Sequence, residues 1–117
     1  MSIPLQITTS GGLTLSESIE NDIRERVESL GRFFDRILGC RVVVEAPARH
    51  HRLGAFAVRI EIAVPGHDLV VSRIERADLA LALRDSFDAA RRQLEQHAER
   101  LRGEVKAHSV PPAAEPT

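Results

Sequence analysis

Apolar residues recur along this chain at two spacings, and the spacing changes wherever glycine or proline interrupts. Leu5-Gln-Ile-Thr alternates apolar and polar, the period of a half-buried strand, and Ser10-Gly11-Gly12 ends it. Thr14 and Glu17 have the spacing of a capping box, in which two side chains satisfy orphan backbone N–H groups. Ile19, Ile23, Val27, Leu30 and Phe34 then follow at steps of four, four, three and four, which predicts a helix over about 15–35. Gly39 breaks that rhythm. Cys40, Val42, Val44 and Ala46 alternate with Arg41 and Glu45 as a second strand, and Pro47 to Gly54 is a loop. Phe56, Val58, Ile60, Ile62 and Val64 keep period two, with Arg59 and Glu61 on the opposite face. Pro65-Gly66-His67-Asp68 carries turn chemistry, so a strand over about 69–75 should pair back as a hairpin. Asp78 is placed to cap a long second helix whose apolar line is Leu83, Phe87, Ala90, Leu94, Ala98, Leu101 and Val105.

The element order is therefore strand, helix, three strands, helix. Two helices with one apolar stripe each, and a sheet with one face to cover, pack as a two-layer α+β sandwich. The expectation is a four-stranded, mostly antiparallel sheet with both helices on one face, in one domain over residues 1–106. From about Ala107 the sequence Ser-Val-Pro-Pro-Ala-Ala-Glu-Pro-Thr cannot bury much, so residues 107–117 are expected to be a disordered tail.

Composition narrows the class. A chain of 117 residues with 43% hydrophobic and 28% charged residues fits one globular domain. A single cysteine, Cys40, excludes an intrachain disulfide and any multi-cysteine metal site, which favours a reducing compartment. The longest apolar run, Leu79–Leu83, is far below the ~20 residues that cross a bilayer. The amino terminus has neither a basic nor an apolar signal region, so the expected location is the cytoplasm, with no membrane partner.

Sixteen basic residues stand against 17 acidic ones, and Lys106 is the single lysine. Near-neutrality removes the simplest argument for nucleic-acid binding but leaves room for a local patch. Four phenylalanines without tyrosine or tryptophan argue against a sheet that stacks several bases. Arg49-His50-His51-Arg52 could hold a metal or an anion, yet adjacent imidazoles in an extended segment diverge, and a solvated basic loop is the preferred reading. Cys40 opens a strand, where a small buried hydrophobe is the common role. The chain has no Gly-x-Ser-x-Gly, phosphate-binding glycine loop or His-Glu-x-x-His, so no catalytic residue, metal or cofactor is expected. Arg84, Arg91 and Arg102 fall on nearly one azimuth of the second helix at ~100° per residue, where they could follow a phosphate backbone. Asp88 and Glu95, four residues after Arg84 and Arg91, offer the alternative of surface ion pairs.

Several segments in register resemble a known family. Leu5-Gln-Ile-Thr, Leu-Ser-Glu-Ser-Ile leading to Leu30, and Phe33-Phe34-Asp35-Arg36-Ile37 are similar to the first half of the ribosome hibernation-promoting factors. These are also called ribosome-associated inhibitors or sigma-54 modulation proteins. Asp78-Leu79 opening a helix through Arg92-Gln93-Leu94, His97 and Leu101 resembles the second half. The resemblance spans roughly residues 3–105 and implies a βαβββα fold comparable in outline to double-stranded-RNA-binding domains. It implies a non-enzyme that binds the small ribosomal subunit and its RNA near the decoding centre, blocking mRNA and tRNA under stress without a cofactor. Matched by position, Arg26 and Arg36 take basic places on the first helix and at its exit, and Arg92 and Arg100 take places on the second. Arg84, Arg91, Arg49 and Arg52 are further candidates for RNA contact. Ser29, Ala89, Gln96 and Ala98 stand where family members often carry lysine, and Ala80 where many carry tyrosine. Each lost cation weakens phosphate binding and flattens its salt dependence. The short tail resembles that of the short class, which lacks the ribosome-pairing domain.

Two functions follow. The first is a short ribosome-associated translation inhibitor. The alternative, motivated by the near-neutral charge and missing lysines, is a homodimeric protein-interaction module that kept the fold and lost strong RNA affinity.

Overall fold

The computed structural model describes residues 3–47 and 54–109. The element order is β1 (Leu5–Ser10), α1 (Glu17–Phe33), β2 (Gly39–Glu45), β3 (Phe56–Val64), β4 (His67–Arg76) and α2 (Leu79–Ser109). The βαβββα order and the α+β class are those expected.

The sheet order is β1-β2-β3-β4. β1 lies parallel to β2, while β2–β3 and β3–β4 are antiparallel. A parallel neighbour requires a crossover, and α1 supplies it. The β3–β4 hairpin is tighter than the sequence suggested, because Val64 already pairs with His67 and Ala63 with Asp68. Only Pro65 and Gly66 remain to turn the chain, and Gly66 does so at φ +72°, a region glycine enters without steric cost. β4 then carries a register shift, with Ile60 opposite Val71 but Val58 opposite Ile74. The extra residue at Ser72-Arg73 re-phases the strand, so that Leu69, Val71 and Ile74 all reach the core side.

Both helices begin at a side-chain cap. α1 starts from Ser16, whose hydroxyl accepts from the Ile19 N–H at 3.2 Å. The expected Thr14–Glu17 box is not used. Leu13 and Leu15 pack against the core, which keeps the chain from turning helical two residues earlier. At α2 the Asp78 carboxylate accepts from the Ala80 N–H at 3.0 Å, as the sequence suggested. α2 runs on through Ala107, His108 and Ser109, three residues that the sequence reading assigned to the tail.

The core lies between sheet and helices. Ile23, Val27 and Leu30 from α1, and Leu83, Phe87, Ala90 and Leu94 from α2, close over Val42, Val44, Val58, Ile60, Ile62 and Val71. Each fully buried aliphatic side chain contributes roughly 1.5–3 kcal/mol, so these stripes decide which helix faces point inward. The sheet's other face is a charged mosaic. Arg73 pairs with Glu45 at 3.2 Å and with Glu75, and Arg59 pairs with Glu61 at 3.4 Å. Ala57 sits between Glu45 and Glu75 in one cross-strand row and is buried under that ion-pair cluster.

Candidate nucleic-acid interface

The thirteen arginines of the described residues divide by whether a carboxylate holds them. Arg24, Arg26, Arg59, Arg73, Arg76, Arg84 and Arg91 are ion-paired. Arg32, Arg36, Arg41, Arg92, Arg100 and Arg102 have no ion-pair partner among the described residues, and all six are exposed. Five of those six lie on the helical layer, on the last turn of α1, at its exit, or on α2 beyond Arg91.

The paired arginines of that layer sit mostly toward the other end. Arg26 donates to Asp22 at 2.9 Å and Arg24 lies 4.0 Å from Glu20, both along the acidic first half of α1. Arg84 takes Asp85 at 3.2 Å rather than the expected Asp88. The reason is Arg76, which leaves the end of β4 and reaches the same carboxylate at 2.9 Å, fixing Asp85 in reach of both. Partial desolvation pushes the Asp85 carboxyl up. Hydrogen bonds from Arg76 and Arg84 and their positive charges outweigh it and hold the group below its ordinary range. Arg91 does take its expected partner, Glu95, at a loose 3.7 Å.

The exit of α1 meets the middle of α2. The Arg91 guanidinium carbon lies 4.8 Å over the centroid of Phe33. The neighbouring Phe34 ring, which is buried, meets His97 edge-on at 5.6 Å. Alongside runs an open groove of about 660 Å³, lined by Arg32, Arg36 and Arg102 around Phe33 and Leu101, with Asp35 the acid on its wall.

The predicted site residues therefore fare differently. Arg36 stands in the groove, and Arg92 and Arg100 are exposed on α2 close by in sequence. Arg26 and Arg84 are tied to acids toward the other end, and Arg91 is committed to Phe33 and Glu95. Arg49 and Arg52, with His50 and His51, lie outside the described residues. Arg32, Arg102 and Phe33 line the groove although the family resemblance does not single them out. Arg102 was visible on the Arg84–Arg91 azimuth, and Phe33 as the phenylalanine that falls off the apolar stripe.

Cys40 is buried, and burial pushes its thiol up to about 12, so the fold favours the uncharged thiol at neutral pH. Among the described residues no three His, Cys, Asp or Glu side chains gather as a metal site. No helix among them is long and apolar enough to cross a membrane.

The profile of the family described as sigma 54 modulation protein / S30EA ribosomal protein matches residues 5–102. The chain belongs to this family. That family comprises non-enzymatic ribosome-binding factors concerned with ribosome hibernation and translation regulation. Among curated proteins none matches the sequence. Solved structures share its fold, among them the following two. A ribosomal subunit interface protein from Coxiella burnetii superposes with a TM-score of 0.71 at 14% identity, covering 83% of this chain and 99% of its own. The N-terminal domain of Protein Y from Thermus thermophilus superposes with a TM-score of 0.61 at 20% identity, over 83% and 99% of the two chains. The S30EA match thus accounts for nearly all of the βαβββα unit, including both helices that carry the free arginines.

Proposed function

We propose that this S30EA family member is a cytoplasmic, ribosome-associated translation inhibitor. It binds the small subunit near the decoding centre and silences translation by occupying the path of mRNA and tRNA. The observation that carries this reading is the segregation of charge on the helical layer. The formal net charge is only −1, yet five of the six described arginines without a carboxylate partner lie on this layer and gather toward one end. Arg32, Arg36 and Arg102 line one groove there, with Arg92 and Arg100 on the adjoining stretch of α2. Guanidiniums released from ion pairing are those that can exchange counterions for RNA phosphates. The arginines held by acids toward the other end, Arg24, Arg26 and Arg84, act as structural ties instead. The mechanism needs no bond making, since occupancy of the channel is itself the inhibition.

Co-sedimentation of the purified protein with small subunits tests this directly. Binding at low salt that is released as salt rises, together with inhibition of in vitro translation, is the expected result. A stable dimer by light scattering that ignores ribosomes in dilute buffer contradicts it.

A further inference from the structure

Phe33 is the exposed aromatic of the helical layer. It keeps 39% of its surface in solvent, while its neighbour Phe34 is buried. A large ring left in water contributes little to packing, and here it sits among unpaired cations. Arg91 rests on it, with the guanidinium carbon 4.8 Å over the centroid. A guanidinium is flat, delocalised and weakly hydrated, so one face can lie against an aromatic ring while the other accepts a second planar group. The loose 3.7 Å contact to Glu95 steadies Arg91 without burying that outer face, and the Arg91 side chain remains 57% exposed. The adjoining groove places Arg32, Arg36 and Arg102 around the ring, against the single acid Asp35.

A flat cationic platform ringed by guanidiniums complements one nucleotide, with the base on the platform and its phosphates on the flanks. A duplex offers phosphates in plenty but few free base faces, whereas an unpaired strand offers both. We propose that Phe33 and Arg91 form a stacking platform for one unpaired base of single-stranded RNA, whose flanking phosphates are held by Arg32, Arg36 and Arg102. The proposal rests on the RNA-binding reading above and narrows it from RNA in general to an unstacked segment.

The test uses the full chain with a labelled eight-nucleotide single-stranded RNA, the matching duplex, and inorganic polyphosphate as a polyanion without bases. Phe33→Leu keeps apolar bulk and loses the ring, and Arg91→Lys keeps the charge and loses the plane. Each should weaken single-stranded RNA binding by about five- to tenfold, the lower end of what one stacked base contributes. Each should leave polyphosphate binding unchanged. The chain has no tryptophan or tyrosine, so Phe33→Trp gives a lone emitter at the platform. Single-stranded RNA should quench it, and polyphosphate should not. If both variants bind single-stranded RNA as the wild type does, or if duplex and single strand bind alike, the platform is refuted while an electrostatic RNA grip still stands. If no polyanion binds at all, the platform and the RNA reading fall together.

Discussion

The imidazole of His97 lies face to face with that of His67, with ring centroids 5.9 Å apart and planes 6° from parallel. His67 opens β4 and His97 sits on the inner side of α2, so the stack pins the helix to the hairpin. His97 also meets Phe34 edge-on, which places the α1 exit against the same point. Ring pairs of this kind contribute about 0.5–1.5 kcal/mol beyond the area they bury. His97→Ala should therefore lower stability by about 1–2 kcal/mol, measured as a fall in the urea midpoint. It should also loosen the groove, seen as faster backbone amide exchange at Phe33 and Phe34.

Asp85 joins the end of β4 to the first turns of α2 through Arg76 and Arg84. Its carboxyl titrates below its ordinary value in the folded chain. The folded state thus holds the charged form, and the resulting stability is present above the ordinary carboxylate range. It is lost as pH falls through the depressed value. Asp85→Asn should show a smaller drop in urea midpoint between pH 6 and pH 3 than the wild type does. An equal drop would show that Asp85 makes no difference to acid stability.

Cys40 predicts the opposite limb of the pH profile. Burial raises its thiol from 9.0 to about 12, so above pH 9 the unfolded chain releases a proton that the folded chain retains. Stability then falls as pH rises through that window, by up to about 4 kcal/mol in total. With no tyrosine and one lysine, few other side chains titrate there. Cys40→Ala should flatten the alkaline limb of the denaturation midpoint. In the native wild type at pH 8, a thiol reagent should label Cys40 slowly, and in urea promptly.

The two helix caps should act independently of function. Ser16→Ala and Asp78→Ala each remove a side-chain acceptor for a first-turn N–H. Each should cost about 1 kcal/mol in chemical denaturation, and the two should add because they lie on different helices.

Much of this architecture was legible because local periodicity and burial agree. Phe56–Val64 alternates so regularly that its bounds match the strand residue for residue, and the step of four from Leu30 separates buried Phe34 from exposed Phe33. What escaped was set by partners distant in sequence. Thr14 and Ser16 both suit a cap, and the choice depended on Leu13 and Leu15 reaching the core. The bulge at Ser72-Arg73 involves two exposed polar residues and leaves no hydrophobic trace. Within the site, helical spacing offered Asp88 to Arg84 but could not show Arg76 arriving from β4 to hold Asp85. Arg26 is the exception, because Asp22, four residues before it, is a legible helical partner and occupies it. Charge type is written in the sequence, whereas the availability of a charge depends on what folds beside it.

The most direct test of that availability is the affinity for isolated small ribosomal subunits as a function of salt. It should be measured for the wild type, an Arg36→Ala/Arg92→Ala/Arg100→Ala variant and an Arg24→Ala/Arg59→Ala/Arg73→Ala variant. The account predicts that losing the three unpaired arginines weakens binding at low salt by at least about tenfold. It also predicts a flattening of the log-affinity against log-salt slope by about 2, at ~0.7 per phosphate contact. Losing the three paired arginines should change neither. Equal affinity and slope for the first variant and the wild type, or an equal loss in both variants, would contradict the account.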